Sequence, residues 1–238
     1  MKIVLIDPEG ITKGLNVGLG YIAAKLKRNQ HKVFVLDFNN KKEDIDKRLE
    51  TVKDADIVGF SIKTSTLESA IKLAKKVRNL NKKCVIVAGG PHITLYGIEF
   101  MKQNKEFDIA VLGEGEMPLS KIAAKKHLKK IKGIIYRSKS KLSVNKFEFI
   151  KDLDDLTFPI YENFDSFEGK IKTYPIVTSR GCPYNCIYCS VYKVMGKVWR
   201  FRSPENVIQE IIYAKNKYKT KNFEIIDDNL SLIHISEP

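Results

Sequence analysis

The sequence predicts an α/β chain. An N-terminal doubly wound (flavodoxin-like) parallel sheet is followed by the first βα units of a partial TIM-like barrel. Three observations carry this reading. Five short β-branched runs alternate with amphipathic helical stretches through the first half of the chain. Each run is too short for a helix and is bounded by Gly, Asp or Asn. A second strand–helix–strand series opens at Thr173, and two strands cannot close a barrel.

The runs are KIVLID (2–7), KVFVLD (32–37), DIVGFS (56–61), CVIVAGG (84–90) and DIAVLGEGE (108–116). Leu15, Leu19, Ile22 and Leu26 form one helical stripe between them, and Leu67, Ile71, Ala74 and Val77 form another. Five βα units imply a parallel sheet covered on both faces by right-handed crossovers. Residues 1–132 are therefore one domain. From Gly133 to Ile150 two β-like runs flank a polar SKSK turn, which reads as a hairpin. The acidic, aromatic, aperiodic stretch after it reads as a surface linker, so 133–172 is assigned to hairpin and linker. Residues 173–230 form the second series. There TYPIVTS is a strand, Ser203 and Pro204 stand as N-cap and N1 of a helix, and NFEIIDDN is the next strand with its end. Val207, Ile208, Ile211 and Ile212 supply that helix's expected apolar face. The last eight residues, SLIHISEP (231–238), read as a non-native tail, which sets His234 aside.

Composition narrows the class. The 238 residues are 43% hydrophobic and 29% charged, the profile of a soluble globular chain. No apolar run approaches the ~20 residues of a membrane span. The opening MKIVLIDPEG is too short in its apolar part for a signal peptide, so the expected compartment is the cytoplasm. Net charge is +14, from 42 Lys and Arg against 28 Asp and Glu. Lysines and acids interleave along the helices without an arginine-rich block, which reads as a solvated surface and not a nucleic-acid face.

Ligands of doubly wound sheets sit beyond the carboxyl ends of the strands. Here those ends carry Ser61 and Thr64 after the third strand, GGPHIT (Gly89, Gly90, His92) after the fourth, and GEGE (Gly113, Gly115, Glu116) after the fifth. Glycines admit close backbone approach and hydroxyls offer donors. The plain alternative is a set of tight strand-to-helix turns. The first turn, DPEGITKGLNVGLG, lacks the compact GxGxxG spacing of a dinucleotide site.

Three of the four cysteines fall within RGCPYNCIYC (180–189), spaced Cys182–x3–Cys186–x2–Cys189. A structural zinc site closes with four ligands, and one is missing. A disulfide leaves an odd thiol in a reducing compartment. A buried helix face is opposed by Gly181, Pro183 and Asn185. Three thiolates suit a 4Fe–4S cube, capping three irons and leaving the fourth open to a ligand. Cys84 reads as a small core hydrophobe.

The loop resembles the radical SAM signature, C-x3-C-x2-C. With RFRSPENVIQEI, FEIIDDN, VAGGPHIT and VLGEGE, residues 1–230 resemble the cobalamin-binding subgroup of radical SAM proteins. That resemblance implies S-adenosylmethionine (SAM) on the open iron of the 4Fe–4S cluster, through its amino and carboxylate groups. One electron then cleaves the sulfonium to a 5′-deoxyadenosyl radical. It implies Tyr188 beside the adenine, and Asp227 and Asp228 near the SAM amino group, where IIDDN departs from the family's Gly–Gly–Glu. It implies cobalamin along Ser61, Thr64, Gly89, Gly90, His92, Gly113, Gly115 and Glu116. The loop DPEGITKG has no histidine to ligate cobalt. The implied enzyme is a cobalamin-dependent methyltransferase or rearrangement catalyst acting on an unactivated carbon of a small-molecule substrate, with flavodoxin or ferredoxin as electron donor. The chain is expected to be a C-terminally truncated part of it. Two alternatives stand beside this. A methylthiotransferase acting on tRNA or protein has a second three-cysteine cluster in its N-terminal domain, where this chain has Cys84. A non-catalytic iron–sulfur or zinc module has no use for the open iron.

Overall fold

The first five strands lie parallel in the order β2-β1-β3-β4-β5: β1 (Lys2–Asp7), β2 (Lys32–Asp37), β3 (Ile57–Ser61), β4 (Val85–Gly89) and β5 (Ile109–Val111). The structure is a computed structural model that describes residues 1–11, 13–41, 43–138 and 141–229. The intervening helices are α1 (Val17–Arg28), α2 (Ile45–Leu49), α3 (Leu67–Leu80) and α4 (Pro91–Gln103), and α5 (Glu116–Ala123) follows β5. Side chains alternate across the strands with period two, as the pleat requires. Val4, Ile6, Val58, Phe60, Ile86 and Ala88 bury against Ala70, Leu73, Ala74 and Val77 of α3 and Phe100 and Met101 of α4. The alternate residues Ile3, Leu5, Ile57, Val87 and Ile109 are buried on the other face. There Leu5 and Leu119 of α5 close over Gly59. Each such side chain contributes about 1.5–3 kcal/mol of burial.

Asn16 sets the start of α1. Its Oδ1 accepts the Leu19 N–H at 3.1 Å, so the helix begins at Val17 and Leu15, expected on its stripe, precedes it. The hairpin forms as β6 (Ile134–Ser138) and β7 (Lys141–Val144), its Lys139 and Ser140 lying outside the described residues. β6 pairs antiparallel with β5, so the hairpin extends the sheet to seven strands among the described residues.

The stretch expected to drape over the surface is also different. Residues 158–166 join the first compact unit. They run along the free edge of β2, where the Val35 N–H donates to Asn163 O (2.8 Å) and the Asp165 N–H to Val35 O (2.9 Å). Ile160, Tyr161 and Phe164 are buried, and Arg48 pairs with Asp165 at 2.6 Å. An edge strand's unpaired peptide groups offer such a partner. The sequence shows no periodicity because the segment meets the edge at a single bridge.

The second unit comprises 149–157 and the chain from 167 onward. The strands β8 (Thr173–Ile176) and β11 (Asn222–Ile225) pair in parallel, with α7 (Pro204–Tyr218) between them. A short antiparallel pair, β9 (Ser179–Arg180) and β10 (Arg200–Phe201), and one helical turn, α6 (Val191–Val194), precede α7. The tail 231–238, with His234, lies outside the described residues.

The face of α7 is corrected in part. Glu210, Ala214 and Tyr218 are buried and Val207 and Ile211 half-buried, whereas Ile208 and Ile212 are 54% and 53% exposed. The inward side carries a buried ion pair. Glu210 pairs with Arg202, and its Oε1 accepts the Tyr174 hydroxyl at 2.9 Å. Arg202 also donates to Val177 O (2.9 Å) and to Asn206 Oδ1 (2.6 and 2.8 Å). Removing one partner leaves a buried charge uncompensated. Glu210→Ala is therefore expected to lower the unfolding free energy by about 3–5 kcal/mol. Tyr174→Phe, which removes one hydrogen bond to a charged group, is expected to lower it by about 1.5–3 kcal/mol. Urea titrations of the two variants check both values and their order.

Candidate functional site

Two groups of residues carry chemistry, one in each unit. In the first unit the strand order places the topological switch between β1 and β3, whose ends are Asp7 and Ser61. Asn16 bridges them. Its Nδ2 donates to Asp7 Oδ1 at 2.8 Å and to Ser61 Oγ at 3.1 Å. Sequence reading missed Asn16 as a site residue, although an asparagine just before an apolar helical stripe is a cap signal. Asp7 is 2% exposed. Burial raises its carboxyl to about 6, helped by the charge of Asp37 and opposed by Asn16 and Lys63.

The loop after β1 is pinned to the end of β2. The Gly10 N–H donates to Asn39 Oδ1 (3.2 Å) and the Gly14 N–H to Asn40 Oδ1 (3.0 Å). Asp37 Oδ1 in turn accepts the backbone N–H groups of Asn39 and Asn40. After β3, Thr64 Oγ1 shares a hydrogen bond with His92 Nδ1 at 3.1 Å. Burial lowers the His92 pKa and favours its neutral form. Its ring lies 5.1 Å from that of Tyr96.

The turn after β4 needs its second glycine. Gly90 has φ +99°, and a Cβ there would stand 2.7 Å from the Ile62 backbone. Gly89 has no such constraint: a Cβ there would make ordinary contact with Phe60 O at 3.7 Å and the Val111 side chain at 3.9 Å. Thr94 Oγ1 donates to Gly90 O (3.1 Å) and accepts the Gly113 N–H (2.9 Å), joining the GGPHIT and GEGE turns. Gly115 caps α5 against Ile22. Glu116 is buried at 4% exposure, so it faces inward. Around this end of the sheet stand three exposed apolar side chains, Ile11 (86%), Tyr96 (53%) and Met117 (42%). Exposed apolar side chains beside glycine turns suit a broad, largely apolar ligand with a polar tail.

In the second unit, the chain leaves β8 and is clamped before it reaches the cysteines. Asp227 Oδ1 accepts the Thr178 N–H at 2.7 Å, and its Oδ2 accepts the hydroxyls of Ser179 (2.8 Å) and Thr178. Both carboxylate oxygens are occupied by protein. Asp228 makes no hydrogen bond among the described residues, and burial and the neighbouring Asp227 raise its carboxyl pKa. Gly181 follows with φ +95°, where a Cβ would stand 2.2 Å from Val198 O.

Residues 181–190 then run without helix or strand. The Cys182 N–H donates to Gly196 O (3.0 Å) and the Cys189 N–H to Cys186 O (3.1 Å). Cys186 is exposed, and Cys182 and Cys189 are half-buried. Tyr188 is 89% exposed and Ile187 wholly so. Cys84 sits apart, buried in the first unit at the amino end of β4. Its thiol donates to Asn81 O at 3.4 Å, and burial raises its pKa. Among the described residues no three His, Cys, Asp or Glu side chains are grouped to hold one metal ion. A cube asks for something else, since it spreads its thiolates over separate irons. Three reachable thiols on one irregular loop fit that demand.

Comparisons with known proteins match each unit to a family model. Residues 2–123 match the family model of the B12 binding domain, and residues 176–232 that of the radical SAM superfamily. An uncharacterized methyltransferase of Pyrococcus horikoshii is 32% identical over 250 residues, which cover 98% of this chain and 54% of that protein. An anaerobic magnesium-protoporphyrin IX monomethyl ester cyclase of Synechocystis is 29% identical over 182 residues, covering 73% and 36%. A solved radical S-adenosylmethionine methyltransferase of Kitasatospora setae, with tryptophan substrate and a SAM analog bound, shares the fold. Its TM-score is 0.76 at 16% identity, over 98% of this chain and 49% of that one. The chain thus spans about half or less of the length of these relatives.

The Asp7 carboxyl generates a pH prediction. Between about pH 4, where an ordinary aspartate titrates, and about pH 6, the folded chain holds a proton that the unfolded chain has released. Stability therefore falls as pH rises through that window, by about 3 kcal/mol from this group. Asp7→Asn is expected to remove that fall. Urea unfolding from pH 4 to 7 checks it, and equal pH slopes for the two proteins would contradict it.

Proposed function

The chain belongs to the family that joins a B12-binding domain to a radical SAM domain, and from that premise we propose that it is the cofactor-holding part of an enzyme acting on an unactivated carbon. The observation that carries this reading is the cysteine loop, three reachable thiols behind a clamped strand end. Cys182, Cys186 and Cys189 would hold a 4Fe–4S cluster that binds SAM. When bound, these cofactors supply one-electron cleavage of the SAM sulfonium and, with cobalamin, a carrier for methyl transfer or rearrangement. The substrate is a small molecule, the electron donor a flavodoxin or ferredoxin, and the compartment the reducing cytoplasm. No helix among the described residues is long and apolar enough to cross a membrane.

The chain's own residues divide the work. Tyr188, 89% exposed, offers its ring to the adenine. Asp228 is the better partner for the SAM ammonium, because both oxygens of Asp227 are already engaged. Asp227 instead positions the loop. In the first unit, Ser61, Thr64, Gly89, Gly90, Gly113 and Gly115 line the path of the cobalamin tail. Neutral His92, with Tyr96 against it, offers an apolar edge. Glu116 acts from within the fold, being buried. A methylthiotransferase would need a second cluster in the first unit, and in the sequence that unit has Cys84 alone, buried at the wrong end of the sheet.

Anaerobic reconstitution is expected to give about four irons per chain, with a paramagnetic resonance signal that shifts when SAM is added. Cys186→Ala abolishes that signal, whereas Cys84→Ala keeps it. One tightly held zinc and no iron would sink the reading. Hydroxocobalamin is expected to co-elute with the chain, and Gly89→Leu, which adds bulk at the carboxyl end of β4, is expected to prevent this.

A further inference from the structure

Residues 169–204 contain seven basic side chains and no Asp or Glu: Lys170, Lys172, Arg180, Lys193, Lys197, Arg200 and Arg202. The whole chain has 28 acids in 238 residues, so a 36-residue stretch without one is a marked bias. Part of it is structural. Arg202 is spent on Glu210, and Arg200 donates to Met195 O at 2.8 Å and lies over the Phe149 ring. Lys193 and Lys197 are different. Both are exposed, both stand over the Tyr192 ring at 5.7 and 5.3 Å, and neither has an acidic partner among the described residues. Beside them Val198 is 70% and Phe201 65% exposed, with Phe201 braced by Trp199 at 5.5 Å. Exposed apolar side chains next to charges of one sign suit contact with an oppositely charged protein.

This stretch is tied to the cysteine loop by its backbone. Gly196 O receives the Cys182 N–H, and Val198 O abuts Gly181, so one hydrogen bond separates the patch from a thiol-bearing residue. We propose that Lys193, Lys197, Val198 and Phe201 form the docking face for an acidic protein electron carrier. The proposal rests on the cluster reading above. It adds where the carrier binds and why it is acidic: two unpaired ammonium groups select carboxylates, and the apolar pair holds the complex once formed. In the step served, the carrier loses one electron and the loop-held cluster gains it, with no bond made or broken.

The test measures binding directly, using reduced flavodoxin as the acidic carrier and the full chain. At low ionic strength, Lys193→Glu with Lys197→Glu is expected to weaken the dissociation constant at least ~10-fold, since opposed charge patches set encounter over that range. The difference should shrink as salt screens it. Iron content and reduction by dithionite stay unchanged, which shows the variant is folded. Two further measurements avoid charge reversal. Phe201→Ala should weaken binding at every salt concentration, and the unaltered chain should bind more weakly as salt rises. An unchanged dissociation constant in the double variant, or salt-independent binding by the unaltered chain, overturns the docking face while leaving the cluster intact. A chain that takes up no iron overturns the cluster reading instead.

Discussion

Parallel strands joined by helices place all their carboxyl ends on one edge, and both units depend on that constraint. In the first unit it brings the turns after β1, β3, β4 and β5 together, though they are far apart in sequence. In the second it sets the exit of β8 beside the end of β11, the register running from Thr173↔Asn222 to Ile176↔Ile225. The peptide groups at such ends have no next residue in the ladder to pair with. What satisfies them decides the shape of the site.

Both units answer with an aspartate at a strand end, used in different ways. Asp7 reaches its neighbour through Asn16, which also caps α1, so strand end, helix start and Ser61 form one hydrogen-bonded piece. Its carboxyl is buried next to Asp37, a position that penalises its charged form. Asp227 instead gathers three donors from Thr178 and Ser179 directly. That fixes the two residues before Arg180 and Gly181, and so the point from which the cysteine loop springs. The Glu210–Arg202 pair supports the same place from behind, as Arg202 donates to Val177 O and its backbone N–H to Thr178 O. The cysteines can remain irregular and open because their base is held from two sides.

Much of this was legible beforehand, and the reasons are local. The five strand runs and the α3 stripe announce themselves because period-two and period-3.6 burial leave a pattern in apolar spacing. Ser203 and Pro204 mark the start of α7, and the Ser203 hydroxyl accepts the Asn206 N–H as a cap should. Cys84 could be set aside because a lone thiol inside an apolar run belongs to a core. The misses are non-local. Residues 158–166 have no period of their own, since what holds them is the free edge of β2 more than a hundred residues earlier. Ile208 and Ile212 look like a core face until Glu210 finds Arg202. Asp227 and Asp228 are identical neighbours in sequence, and only the position of Thr178 and Ser179 separates their roles.

The sequence by itself determined the class of the fold, the order of its elements and the spacing of three thiols suited to iron. Those depend on residue type and short-range spacing, and thiolate affinity for iron does not wait on packing. Tertiary structure decided which polar groups are consumed in holding the chain and which remain for a ligand. It engaged Asp227 and left Asp228, buried Glu116, joined Asp7 to Ser61 through Asn16, and left Lys193 and Lys197 unpaired. The physical reason is that a hydrogen bond or ion pair depends on two groups meeting in space, and their sequence separation says little about whether they do.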